Sequence, residues 1–253
     1  MLTQVALQLP GDTACNSENF SRLRAMQASS SVSATALPIP AFNKLTGKRV
    51  VLASASPRRA QLLAAVGLTP EIVPSTFEEN LPKSEFRDDA AYEYPVETAA
   101  SKGIEVYHRL SQDVNPPDFV IAADTIVLKD GEILEKPIDK NDALRMLQDL
   151  NDGKCEVVTG VALVHPILTA PGYVVRRLTE KATVHFGHSS LELLTAYAES
   201  GEGLDRAGAF AIQGLGGLFV RAIEGDWNTV VGFPIYSFFA FLHELAEDGE
   251  LDV

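Results

Sequence analysis

The run Ser54-Ala55-Ser56-Pro57-Arg58-Arg59 is where residue types and spacing point most directly to chemistry. Val50-Val51-Leu52 before it reads as a short buried strand. Pro57 suits the first position of a helix, where its missing N–H is no loss. Ser56 stands where an N-cap belongs. Leu62, Leu63 and Val66 then recur at helical spacing, and Gly67 supplies a stop. Arg58 and Arg59 therefore fall in the first helical turn. Cations there oppose the helix dipole, so they are badly placed for stability. They are well placed for an anion, because free N–H groups and guanidinium forks converge on it. The plain alternative is a solvated arginine pair.

Further candidates lie elsewhere. Asp124 ends a near-continuous apolar run, Phe119 to Ala123. A carboxylate at the end of a buried strand is costly unless it is paired or binds a cation. No helix follows for it to cap, so a metal ligand or general base fits better. Thr125 beside it can donate or accept a hydrogen bond. Glu78-Glu79 reads alone as a solvated pair. With Asp124 it could complete an oxygen site for Mg2+ or Mn2+. Lys102 and Lys136 are each ordinary surface lysines in isolation. Joined to Arg58 and Arg59 they make a four-cation set suited to a polyphosphate. Gln213 sits among apolar and glycine residues and reads as a polar group aimed at a ligand or water. Ala211–Gly217 lacks both the Lys-Ser/Thr of a P-loop and the helix of a Rossmann turn. Asp205-Arg206 reads as a local ion pair. His185 and His188 do not make a zinc site, and no local Ser/His/Asp or Cys/His arrangement stands out.

The elements that must position these groups alternate between strand and helix. A strand is expected at Glu71–Val73 and a long polar loop at Pro74–Pro95. A helix is expected from Val96 to Leu110. Phe119–Ala123 reads as a buried strand entering Asp124, after which Thr125–Leu128 continues extended, with hairpin-turn chemistry at Lys129-Asp130-Gly131-Glu132. Asp139 caps a helix to about Leu150. Cys155–His165 and Val174–Phe186 are β-rich and antiparallel in character. Ser189-Ser190-Leu191-Glu192 has a capping-box pattern before a helix to Tyr197. Glycines 214, 216 and 217 precede a strand at Leu218–Ile223, and a last helix covers Ile235–Ala246. Hairpins mixed into the alternation predict α/β with a mixed sheet, not a doubly wound parallel one.

Composition bounds the function. The 253 residues carry a net charge of −13, which disfavours nucleic-acid binding and makes a basic cluster more telling. No apolar stretch reaches the ~18 residues of a membrane span. Cys15 and Cys155 form no disulfide framework, which fits a reducing, cytoplasmic setting. Residues 1–46 contain Arg22, Arg24 and many Ser and Ala. Asp12, Glu18 and Pro10 weaken a mitochondrial presequence, so a disordered extension is expected, with order beginning near Gly47.

In combination these motifs resemble the Maf family of nucleotide pyrophosphatases, and within it the dTTP/UTP subgroup. The resemblance covers roughly Lys48 to Leu245. It rests on the opening motif with Ala122-Ala123-Asp124-Thr125, Glu135-Lys136-Pro137, Thr159-Gly160-Val161-Ala162 and Asp205–Gly214. It implies a pyrophosphatase domain over residues 47–253, with an elongated, two-lobed, mixed-sheet fold like that of inosine triphosphatase and a central cleft. It implies hydrolysis of a nucleoside triphosphate to monophosphate and pyrophosphate with Mg2+ or Mn2+, and is compatible with a homodimer. It makes Asp124 the proton acceptor and ties Arg58, Thr125 and Gln213 to activity. Ser54, Ser56, Arg59, Lys102 and Lys136 become phosphate contacts, and Glu79 joins Asp124 at the metal.

Three departures stand out. Ser101-Lys102-Gly103 replaces the family's Glu-Lys-Ala, which puts the rigidity of Lys102 in question. The loop Pro82–Pro95 is longer than usual. Trp227-Asn228-Thr229 has a flavour of the sister subgroup that prefers 7-methyl-GTP. A catalytically idle nucleotide sensor and a structural interaction domain are the competing classes. The sensor predicts a missing base or metal ligand, whereas Asp124 and Glu79 are both present.

Overall fold

The computed structural model describes residues 31–86 and 88–252. Its frame is a seven-stranded mixed sheet. Strand β1 (Val50–Leu52) lies parallel to β2 (Glu71–Ile72) on one side and to β3 (Phe119–Lys129) on the other. From β3 the pairing turns antiparallel, through β5 (Lys154–Pro166) and β6 (Tyr173–Phe186) to β7 (Val220–Glu224). The short β4 (Glu132–Leu134) folds back on β3 through the expected hairpin. Asp130 and Gly131 there have φ of 52° and 83°, the left-handed pair a tight primed turn needs.

Length is the organising property. β3 has 11 residues, β5 13 and β6 14. At roughly 3.3 Å per residue, β3 alone spans about 36 Å. The same strands therefore serve successive cores. One core joins Leu52, Phe119, Ile121 and Leu163 to α1 (Pro40–Leu45), α2 (Pro57–Ala65) and α7 (Ile235–Glu247). On the opposite face, α3 (Tyr94–Leu110) packs Ala99, Ala100 and Val106 on Val120, Ala122, Ala162 and Val164. Farther along, Val127, Val157 and Val184 meet α4 (Lys140–Leu150) and α5 (Leu191–Ser200) with Phe210 and Phe219. The short α6 (Trp227–Val231) joins β7 to α7.

Most elements fall where the sequence places them, and their ends explain themselves. Asp139 accepts from Asp142 N–H at the start of α4. The α5 cap is Ser190, which accepts from Leu193 N–H. The expected Ser189/Glu192 capping box is therefore not formed, because the helix starts one residue later. The loop after β2 is not wholly irregular, since it holds 3-10 turns at Lys83–Glu85 and Asp88–Glu93.

Residues 31–46, which the sequence places in an extension, are part of the fold. Ser31 N-terminal to α1 accepts from Val50 N–H, and Val32 bridges Leu68. Ala41, Phe42 and Leu45 of α1 are buried against α7. The hydrophobic triplet at helical spacing is short and Ser/Pro-flanked, so composition masked it. The expectations for residues 1–30, Cys15 included, lie outside the described residues. No helix among the described residues is long and apolar enough to cross a membrane.

Candidate active site

β1 delivers the chain into Ser54, and α2 begins at Pro57 as expected. Ser56 occupies the N-cap position, but its side chain makes no capping bond. The local hydroxyl that does work is Ser54. Its Oγ, buried, accepts from Ser56 N–H at 3.2 Å and from Arg59 Nη1 at 3.2 Å. Arg59 is held on two further sides. Its Nε donates to Gly232 C=O at 2.9 Å and its Nη2 to Thr125 Oγ1 at 3.1 Å.

Thr125 belongs to a directed chain. Thr159 Oγ1 donates its one proton to Thr229 C=O, so Thr125 must be the donor in the 2.9 Å Thr125–Thr159 contact. Thr125 then has only lone pairs to offer Arg59. Burial lowers the pKa of Arg59, and the Asp124 and Glu79 carboxylates oppose that. Arg58, one residue earlier, has no hydrogen bond of its own among the described residues. Burial and then the neighbouring Arg206 guanidinium lower its pKa, with Asp205 acting the other way. Arg59 is thus fixed in the wall, whereas Arg58 is left to face the cleft.

Asp124 corrects one expectation. It does not end a strand; it lies in the middle of β3, opposite Gly160 of β5. A carboxylate can be buried there because two neighbours make room and supply charge. Gly160 has no side chain, and a Cβ on it would lie 2.2 Å from Val96 N. α3 therefore packs directly on β5 at this point. The same helix carries Lys102, whose Nζ lies 2.8 Å from Asp124 Oδ1 and 2.8 Å from Glu79 Oε1. Asp124 and Lys102 are each 9% exposed, so this contact is shielded from water. Partial burial opposes the charge on Glu79, but the Lys102 hydrogen bond and the fields of Lys102, Lys136 and Arg59 outweigh it. Glu79 is held below the ordinary carboxylate range.

Gly103 does not loosen Lys102. A Cβ there would meet Val164 Cγ2 at 3.0 Å and Ala122 Cβ at 3.4 Å. The glycine lets α3 settle onto the sheet, which outweighs its weak helix propensity.

These groups line one cleft of about 680 Å³. Ser54, Ser56, Arg58, Arg59, Glu79, Lys102, Asp124, Thr125 and Lys136 all line it, and Lys136 lies near enough to act on the Glu79 carboxylate. Gln213 joins the lining from the loop after Phe210. Every site residue expected from the sequence is therefore brought together. Arg206 was not among them. It lines the same cleft, pairs with Asp205 as its sequence suggests, and has a buried Nε with no hydrogen-bond partner among the described residues. A basic residue leading into a glycine-rich loop was the available signal. Trp227, Asn228 and Thr229 are not part of the lining.

Two converging carboxylates suit a hard divalent cation whose remaining ligands are substrate oxygens and water. The described residues offer no cluster of three or more His, Cys, Asp or Glu that would bind one unaided. The donor set thus fits a cation that arrives with a phosphate ligand, with Lys102 balancing the carboxylates otherwise.

The chain is 48% identical over 202 residues to a human protein named "Probable bifunctional dTTP/UTP pyrophosphatase/methyltransferase protein", covering 79% of this chain and 32% of that one. It thus spans about a third of the length of that relative. It is 41% identical over 215 residues to the dTTP/UTP pyrophosphatase of Schizosaccharomyces pombe, covering 83% of this chain and 88% of that protein. Among solved structures, the Staphylococcus aureus Ham1 protein aligns with a TM-score of 0.40 at 11% identity, over 79% of this chain and 98% of that one, too distant to carry an argument. Residues 49–245, from the strand before the arginine pair to the last helix, match the family described as Maf-like protein, and the chain belongs to that family.

Proposed function

We propose that this protein hydrolyses nucleoside triphosphates, dTTP and UTP foremost, to the monophosphate and pyrophosphate. The observation that carries the reading is the buried Asp124 carboxylate, paired with Lys102 in a cleft that Arg58, Arg59 and Lys136 also line. A triphosphate brings several negative charges, and this acidic chain gathers its cations where those charges would lie. The names of its relatives supply the anhydride and the base.

Catalysis in such a site is mainly positional and electrostatic. Arg58 and Lys136 bind the departing pyrophosphate. Arg59, immobilised by Ser54, Thr125 and Gly232, offers a preorganised charge that needs no reorientation during the reaction. Lys102 occupies Asp124 Oδ1, which leaves Oδ2 to orient and deprotonate the attacking water. A bound Mg2+ or Mn2+ would be held by Asp124 and Glu79 and would supply charge neutralisation at the phosphates. Gln213 offers a side-by-side amide donor and acceptor, complementary to the N3–H and O4 edge of uracil or thymine. The 7-methyl-GTP alternative rested on Trp227-Asn228-Thr229, none of which is among the residues lining the cleft. The same reading places the protein among cytoplasmic nucleotide pools, with Cys155 a buried free thiol.

The test is a panel of dTTP, UTP, CTP, ATP, GTP and 7-methyl-GTP with Mg2+, assayed for pyrophosphate with wild type and Asp124→Asn. Turnover of dTTP and UTP that Asp124→Asn abolishes, with binding retained, supports the reading. Binding without turnover by wild type supports the idle sensor instead, and preference for 7-methyl-GTP overturns the base assignment.

A further inference from the structure

Gln213 sits on neither helix nor strand. It is exposed on the Ala211–Gly217 loop, whose only regular element is the 3-10 turn Leu215–Leu218. A side chain meant to read a base edge needs its backbone fixed, and the loop's own bonds are few. They run from Gly214 N–H to Ala211 C=O and from Gly217 N–H to Gly214 C=O.

The remaining anchors come from the C-terminal end of α5. Glu202 Oε1 accepts from Leu215 N–H at 3.1 Å, and Oε2 accepts from Gly216 N–H at 3.1 Å. Both oxygens of one carboxylate are thus committed to two successive backbone N–H groups, a small anion-binding nest. Tyr197 Oη accepts from Ala211 N–H at 3.0 Å at the other end of the loop. Burial, and then Glu202 among other groups, raise the Tyr197 pKa, so the hydroxyl keeps its proton.

Sterics show how close the fit is. A Cβ on Gly214, the residue after Gln213, would lie 2.1 Å from Glu202 Oε1. A Cβ on Gly216 would lie 2.7 Å from Ala211 N and O. Glu202 is held in turn by its own N–H, which Ser200 Oγ accepts at 3.3 Å, and by Gly201 at φ 76°. Other carboxylates near the cleft, Asp124, Glu79 and Asp205, pair with cations. Glu202 makes no ion pair among the described residues; it holds two loop amides and lies within hydrogen-bonding reach of the Tyr197 hydroxyl.

We infer that Glu202 is a positioning residue for base selection, holding the Ala211–Gly217 loop so that Gln213 presents its amide to the pyrimidine. The inference rests on the triphosphatase reading above. Among the described residues Glu202 pairs with neither the cleft cations nor Asp124, so its influence on the site runs through the Gln213 loop.

The experiment measures kcat and KM for UTP and GTP, and the inhibition constant of inorganic pyrophosphate, for wild type, Glu202→Ala, Glu202→Gln, Gln213→Ala and the Glu202→Ala/Gln213→Ala double variant. Loss of two charge-assisted bonds predicts a rise in KM for UTP of about tenfold or more in Glu202→Ala. The UTP:GTP preference should fall to that of Gln213→Ala, and the double variant should be no worse than Gln213→Ala. Pyrophosphate inhibition and kcat should stay near wild type. Glu202→Gln keeps one oxygen acceptor and should be intermediate, which preserves the test if the alanine variant misfolds. An unchanged UTP:GTP ratio in Glu202→Gln or Glu202→Ala overturns the inference, as does an equal loss of pyrophosphate affinity. If wild type turns over neither triphosphate, the functional reading itself falls and this inference falls with it.

Discussion

Arg58 and Arg59 are neighbours in sequence with opposite situations. Arg59 makes three hydrogen bonds, to Ser54, Thr125 and Gly232; Arg58 makes none among the described residues. Arg58→Ala should therefore lower kcat/KM by about 100-fold, roughly 3 kcal/mol in the barrier, without lowering the melting temperature. Near-normal kcat/KM would reject a catalytic role for it. Arg59→Ala should lower both, because Gly232 C=O and Thr125 Oγ1 lose their donor. The motif made both arginines visible in the sequence, but not this division of labour. Gly232 lies 173 residues from Arg59 and Thr125 lies 66 away, so only the fold brings the acceptors in. Lys102 has its own signature. Lys102→Ala leaves Asp124 and Glu79 converging without their cation, a loss of about 3 kcal/mol or more. Mg2+ should then raise the variant's melting temperature by more than it raises that of wild type, and EDTA should abolish the difference. Equal Mg2+ shifts in both proteins would count against the carboxylate pair as the metal site.

At the scale of elements, α3 is the part that makes the site. It brings Lys102 to β3 and, through Glu105, ties down the loop that carries Glu79. Glu105 accepts from Ser75 Oγ, Thr76 N–H and Thr76 Oγ1, and pairs with Arg109. Burial opposes its charge, but these bonds outweigh it and hold its pKa at about 2, from an ordinary 4.5. The folded value is the lower one. Its contribution, on the order of 3 kcal/mol, is therefore complete above pH 4.5 and disappears as pH falls from 4.5 toward 2. Urea unfolding of wild type and Glu105→Gln should differ at pH 7 and converge near pH 2; a constant difference would contradict this. Helix α3 itself was legible from Ala100, Ile104 and Tyr107. Its closeness to the sheet was not, since Gly103 and Gly160 look like weaknesses until the contacts they permit are seen. Asp124 was misplaced to a strand end for the same reason. One-dimensional reading takes a buried charge as a stop, whereas Gly160 and Lys102 allow β3 to continue through it.

At the scale of the molecule, long strands shared by successive cores leave a cleft whose lining comes from the turn after β1, from α2, α3, β3, β4, β5 and α6, and from the loop bearing Gln213. The mixed sheet was readable from hairpin signals among alternating helices. The entry of residues 31–46 into the fold was not, because a six-residue helix gives too few turns for a periodic signal. Phe42, 4% exposed and 5.0 Å ring to ring from Phe239, makes that entry testable. Phe42→Ala should lower unfolding free energy by about 3–5 kcal/mol. A change below measurement error would mean that α1 is dispensable.

The central claim concerns which bond of the triphosphate breaks. The 253-residue protein with UTP and Mg2+ in 18O-labelled water, its products resolved by anion exchange and mass spectrometry, answers it. The account predicts UMP and pyrophosphate in equal amounts, absent with Asp124→Asn. UDP and inorganic phosphate as products, or no turnover of any triphosphate by the wild-type chain, would contradict it.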